Sequence, residues 1–241
     1  MRKLVFLSVF VSVCQFAQAQ LFFDAGIKGG IGSTWFFNKE VMNDNQIKYG
    51  GSLSHTFGGK LSVNFNETYA VSGEFLYAHI ESQVFKFTNS LNQNINRKIS
   101  FNQYNIPILF RKNGETGDYF EIGPQFSLVQ KVTDDEGKDV ADNFKASYTN
   151  ILIGFGHYLF GSGAFCGAMG ARFTFSPSDI LTTNGGKDNK NFYPFNTSLY
   201  NSNFKNYAAT LPITAMLMLE FTYDLGYFAK SKCKRRAFML F

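Results

Sequence analysis

Leu211–Tyr227 reads LPITAMLMLEFTYDLGY. From Ile213 it alternates without a slip. Ile213, Ala215, Leu217, Leu219, Phe221, Tyr223 and Leu225 fall on one side, and Thr214, Met216, Met218, Glu220, Thr222 and Asp224 on the other. A two-residue period belongs to a β-strand, whose successive side chains point to opposite faces. A helix would put Leu217 and Glu220 together and break the apolar stripe. The stripe is long enough to cross a bilayer, which takes about 9–11 residues of tilted strand. The stretch is predicted to be the closing strand of a small transmembrane barrel.

Seven earlier segments carry the same alternation. Around 23–35, Phe23, Ala25, Ile27, Ile31 and Trp35 oppose Asp24, Lys28 and Thr34; around 53–65, Leu53, Phe57, Leu61, Val63 and Phe65 oppose Ser54, Thr56, Lys60, Ser62 and Asn64. His55 is the polar intruder on that second apolar face. The third segment sets Tyr69, Val71, Phe75 and Tyr77 against Ser72 and Glu74, and the fourth sets Tyr104, Ile106, Ile108 and Phe110 against Gln103, Asn105 and Arg111. In the fifth, Phe120, Ile122, Phe126 and Leu128 oppose Glu121, Gln125 and Ser127. The sixth has Ile151, Ile153, Phe155 and Leu159 on its apolar face, and the seventh sets Phe165, Met169, Phe173 and Phe175 against Cys166 and Arg172. Pro107 and Pro124 each remove a ladder hydrogen bond and are expected to mark bulges.

Connections after the second, fourth and sixth strands span a few residues, whereas 38–51, 84–99, 131–147 and 176–208 are long. The predicted fold is all-β: an eight-stranded antiparallel transmembrane β-barrel with short periplasmic turns and long extracellular loops. An even count brings both ends to the periplasm. A water-soluble barrel also alternates, but its outward polar face would be dense in Lys and Glu. Here that face is mainly Gly, Ser, Thr, Asn and Gln, and Tyr and Trp gather near strand ends as in an interfacial girdle.

Residues 1–19 read as an export signal. Arg2 and Lys3 precede the apolar Leu4–Val13, which is too short to span, and Ala17-Gln18-Ala19 is a small-x-small cleavage site that leaves Gln20 first. Branched Val13 ahead of Cys14 disfavours lipid attachment there. Residues 20–228 then form one barrel domain, and 229–241 (AKSKCKRRAFMLF) a basic periplasmic tail. Of the positive charges behind the formal +5, Arg2, Lys3, Lys230, Lys232, Lys234, Arg235 and Arg236 lie in the signal and the tail. The body is thus weakly acidic, which argues against nucleic-acid binding. Cys166 and Cys233 alone survive processing, too few for a disulfide framework. The outer membrane of a Gram-negative cell is the expected location.

On the inward face, Lys28, Lys60, Arg111 and Arg172 meet Glu74, Glu121 and Glu220. Isolated buried charges are very costly, so these seven are expected to form an ion-pair network inside a barrel just wide enough for side chains to fill. A plugged lumen without a diffusion pore follows. No catalytic residues, metal ligands or cofactor are implied. His79, with Glu81 and Ser82 beside it, is the best candidate for rim enzymology, but it lacks a His-x-Ser arrangement. His157 has no obvious partner. The acidic run Asp134–Asp139 with Asp142 lacks the ligand spacing of a calcium loop. Asn191–Phe195 (NFYPF) is aromatic enough either to pack over the mouth or to present a binding surface. The tail residues Lys230, Lys232, Lys234, Arg235, Arg236, Phe238 and Phe241 could contact a partner or the inner leaflet.

Four stretches carry a family resemblance: Ala-Gln-Ala-Gln at 17–20, Gly26–Gly32, Tyr104–Phe110 (YNIPILF) and Tyr119–Gln125 (YFEIGPQ). In these the chain resembles the PorT-like outer-membrane barrels of the Bacteroidetes, over essentially the whole mature length. The resemblance implies an eight-stranded barrel, and the family's named member takes part in type IX protein secretion. The extended tail and long fourth loop depart from the family's usual ending. The reading is a non-enzymatic barrel serving as a subunit or accessory of an outer-membrane machine, with lipid and other outer-membrane or periplasmic proteins as partners. Its rivals are a stand-alone structural barrel or surface-binding protein acting through its extracellular loops, and a rim enzyme acting on lipid A.

Overall fold

The computed structural model describes residues 21–88, 92–187, 193–195, 204 and 206–226. Along the chain these form β1 (Phe22–Phe37), α1 (Lys39–Asn43), β2 (Lys48–Gly50), β3 (Ser54–Asn64), β4 (Tyr69–Glu81), β5 (Val84–Thr88) and β6 (Asn94–Arg97). Then follow β7 (Ser100–Asn113), β8 (Asp118–Thr133), β9 (Ser147–Ser162), β10 (Phe165–Phe175) and β11 (Leu211–Asp224). Eight of the strands close into an antiparallel barrel in the order β1-β3-β4-β7-β8-β9-β10-β11, and β11 returns to β1. That closing seam runs unbroken from Asp24 opposite Asp224 to Phe37 opposite Leu211.

The alternation sets the orientation of every strand. Ile27 is 66% exposed while its neighbour Lys28 is 3% exposed, and Leu217 (63%) neighbours Met218 (2%). A water-soluble barrel would bury the first of each pair and expose the second. The inverted pattern, repeated around the wall, makes the outside an apolar belt, and closure leaves no sheet edge in the bilayer. The protein is an outer-membrane barrel.

Short turns at one end are locally determined. The Asn66 side-chain oxygen accepts from the backbone N–H groups of Thr68 and Tyr69 (2.9 and 2.7 Å), which folds β3 back into β4. Gly117 (φ +92°) and Gly163 (φ +60°) occupy the left-handed conformations of the β7–β8 and β9–β10 turns.

The opposite end differs from the expected plain loops. The barrel strands run beyond the apolar belt, and β2, β5 and β6 build a second small sheet in the order β2-β5-β6. Its inner face joins the other loops in an apolar cap over the lumen, which includes Phe36, Phe85, Phe87, Phe101, Phe144 and Phe195. Tyr193 and Phe195 of the aromatic stretch pack into this cap, Phe195 edge-on against Phe85 and Tyr193 against Phe144.

The prolines make no bulges. Pro107 sits opposite Gln125 in the register that also holds Phe110 opposite Ile122, and Pro124 sits opposite Ile151 in an unbroken β8–β9 register. In a closed barrel each proline costs a ladder bond, while the pairs on either side hold the register. The register shifts fall instead at Asn102/Gln103 and at Gly167/Ala168, where the Phe160 ring covers Gly167.

Candidate functional site

Seven strands aim one charged side chain each at a single level of the lumen. Lys28 Nζ lies 3.0 Å from Glu74 Oε1 and 2.6 Å from Glu220 Oε2, and Lys60 Nζ lies 2.6 Å from Glu220 Oε1. Arg111 donates Nη2 to Glu121 (2.8 Å) and to Glu220 (2.7 Å), and Nη1 to the other oxygen of Glu220 (2.9 Å). Arg172 donates Nε to Glu121 (2.6 Å) and its two terminal nitrogens to Glu74 (2.6 and 2.7 Å). All seven side chains are at most 5% exposed. Bidentate guanidinium–carboxylate pairs are the strong form of this contact.

An eighth member escaped the sequence reading. Asp24, at the start of β1, is buried with Lys60 Nζ at 3.8 Å and with its other oxygen accepting from Asn64 Nδ2 at 2.7 Å. It corrects the expected imbalance of four cations against three anions to four against four. A neutral layer escapes the penalty of an uncompensated buried charge. Its only sequence signal was its place on the polar face, indistinguishable from that of a rim acid.

The eighth barrel strand supplies room in place of a charge. Gly154 of β9 lies opposite both Glu121 and Arg172, and a methyl there would meet Glu121 Cγ and Oε1 at 2.7 Å. Because Glu121 is held by two arginines, it cannot swing aside. Gly154→Ala is therefore expected to cost about 1–3 kcal/mol, the usual range for overpacking, read as a lower urea midpoint of the refolded barrel. On the periplasmic side of the layer, Arg111 stacks over the Tyr119 ring at 4.2 Å and Tyr158 donates to Asn113 at 3.1 Å.

Toward the cap the lumen is polar and nearly filled. Gln103, Asn105, Ser127 and Asn150 are linked by hydrogen bonds, and Thr34 bonds Thr214. A cavity of about 30 Å³ remains between Thr56, Asn105, Gln125, Arg172, Met216 and Met218. Among the described residues, every carboxylate of the layer is paired with at least one cation.

The other sequence candidates do not converge on it. Ser82 is fully buried and faces inward; its hydroxyl donates to the Gln83 carbonyl (3.0 Å) and accepts from the Ile99 N–H (2.9 Å), so it offers His79 no nucleophile. His79 faces outward instead, with Nδ1 2.6 Å from Asn102 Oδ1. Contrary to expectation His157 has a partner, Asp118 Oδ1 at 2.9 Å from its Nδ1. In the acidic loop Asp134 Oδ1 accepts from the backbone of Glu136 and Lys138, and Arg97 binds Asp135 and Glu136. Those carboxylates build the turn. Among the described residues, no group of three or more His, Cys, Asp or Glu side chains is arranged to hold a metal ion. The signal segment 1–19 and the tail residues Lys230, Lys232, Lys234, Arg235, Arg236, Phe238 and Phe241 lie outside the described residues.

No known protein family matches the chain, and no curated protein does. Among solved structures it is similar to Ail, the attachment invasion locus protein of Yersinia pestis, solved with the heparin analogue sucrose octasulfate. The two are 14% identical over 84% of this chain and 98% of that one, with a TM-score of 0.37. It is also similar to the outer membrane protein OprG of Pseudomonas aeruginosa (12%, covering 83% and 95%, TM-score 0.39). A third is the outer membrane protein AlkL in lipid bilayers (9%, covering 88% and 93%, TM-score 0.33). The assignment to the outer membrane rests on strand closure and the inverted faces of this chain.

Proposed function

We propose that this protein is a non-enzymatic integral barrel serving as a subunit or accessory of a multi-protein outer-membrane machine, in protein secretion, barrel assembly or uptake. The observation that carries the reading is the sealed lumen. Among the described residues a neutral ion layer fills one level and an apolar cap covers the extracellular end, which speaks against a path through the barrel. Work then falls to its outer surfaces: the apolar wall, the folded loops and the basic tail 229–241. The PorT-like sequence resemblance points the same way and favours secretion. A mild-detergent pull-down from outer membranes with mass spectrometry tests it. Stoichiometric recovery of large barrel or periplasmic subunits is expected, and deletion of 229–241 should weaken it. A lone monomer from both chains would remove the machine.

A second reading, a barrel that binds ligands at the cell surface, is favoured by one feature of the small sheet. Lys48 and Lys86 lie directly opposite each other on its exposed face, and neither has an ion-pair partner among the described residues. Like charges so placed repel, and an anionic ligand would relieve them.

A further inference from the structure

Two of the chain's three histidines sit directly opposite each other. His55 of β3 and His79 of β4 are register partners on the outward face, with ring centroids 5.2 Å apart. They stand at the loop end of their strands, one outward step beyond Phe57, Tyr77 and Tyr104, whose rings pack together on the wall. Tyrosines in such a row mark the membrane–water boundary. The histidine pair therefore lies in the headgroup zone, within reach of solutes, and Glu81 and Lys98 beside it are charged.

The surroundings of His79 fix how its ring is used. Asn102 Oδ1 only accepts hydrogen bonds, so at 2.6 Å it holds the proton on Nδ1 and leaves the lone pair on Nε2. An amide or carboxylate oxygen on the far nitrogen is how metal-binding imidazoles are held. The free Nε2 faces Glu81 Oε1 at 3.5 Å. The Glu81 carboxylate is already held by Lys98 at 2.7 Å, which makes it a neighbour able to accept from metal-bound water and leaves the two imidazoles as the protein ligands.

We propose that His55 and His79 chelate a divalent transition-metal ion of the imidazole-seeking kind, zinc, copper or nickel, at the outer rim of the barrel. Cross-strand pairing supplies two nitrogens on one face with only side-chain rotation, and water fills the remaining positions. Imidazole selects this class of ion over magnesium or calcium, which take oxygen ligands. The other approaches to the pair come from Ile31 of β1, opposite His55, and Asn102 of β7, opposite His79. Neither brings a second cation.

The test uses the full mature chain, refolded with a histidine-free tag in a Cys233→Ser background so that the tail thiol cannot bind metal. Zinc would be titrated against a chromogenic chelator, and the copper-loaded protein examined by electron paramagnetic resonance. One ion per chain is expected, with two nitrogen couplings in the copper spectrum. His55→Ala and His79→Ala should each reduce these to one and weaken binding, and Asn102→Ala should weaken it about 10-fold by freeing the ring. His157→Ala, at the far end of the barrel, should change nothing. All variants alter outward side chains, and heat-modified gel mobility checks that each barrel is folded. Absence of stoichiometric zinc binding, or zinc binding in His55→Ala and His79→Ala as tight as in the unmutated chain, would overturn the proposal.

Discussion

Replacing Glu220 with leucine is expected to lower the unfolding free energy by about 3–5 kcal/mol, the range for removing one partner of a buried ion pair. Glu220 meets three cations, Lys28, Lys60 and Arg111, each within 2.7 Å. Its loss leaves four buried positive charges against three negative ones, and strips Arg111 of its bidentate partner. The readout is the temperature at which the compact gel form gives way, or the urea midpoint in lipid vesicles. Adding Lys60→Met to Glu220→Leu restores neutrality at three against three. The pair should then recover part of the loss, because side chains in one network couple by about 0.5–3 kcal/mol. A single variant that melts with the wild type, or a double variant with the two losses simply added, would show that the layer is not an energetic unit.

Strand identity was legible because a membrane barrel separates lipid from lumen at every residue. One misplaced residue in Leu211–Asp224 would have put Glu220 into the bilayer, so the pattern is strict. Seven of the layer's eight members were legible for the same reason, since few ionisable residues occur in mid-strand on the polar face; Asp24, near a strand end, was not. Nor was the pairing within the layer. Glu220 and Arg111 are 109 positions apart and meet only across the closed lumen. Gly154 could not be recognised as the space beneath Glu121, because that role depends on register with two neighbouring strands. At the extracellular end the local signal weakens further. β2 and β6 have three and four residues, too few to show a period. Gln83 takes over a strand's role by accepting from the Phe36 N–H and donating to its carbonyl (2.7 and 2.9 Å). No backbone pattern announces a side chain that completes a ladder.

Arginine in place of Leu217 should cost about 2–4 kcal/mol, whereas arginine in place of Leu53 should cost about 0–1, as for charges at the midplane and near the interface of a membrane barrel. The comparison isolates depth, because each leucine is 63% exposed. Leu217 lies halfway along β11, between Ile31 of β1 and Ala171 of β10, with no carboxylate beside it. Leu53 precedes β3 at the loop end, next to the polar His55 and Ser54. In water the two substitutions would be alike, since each would put a long charged side chain on an exposed surface. In lipid only the first forces a guanidinium into hydrocarbon, from which it escapes by bending toward the headgroups at the expense of β11 packing. Urea unfolding in lipid vesicles reads both. Equal, small losses would place the wall in water, and the buried ion layer would then need an explanation other than a bilayer outside it.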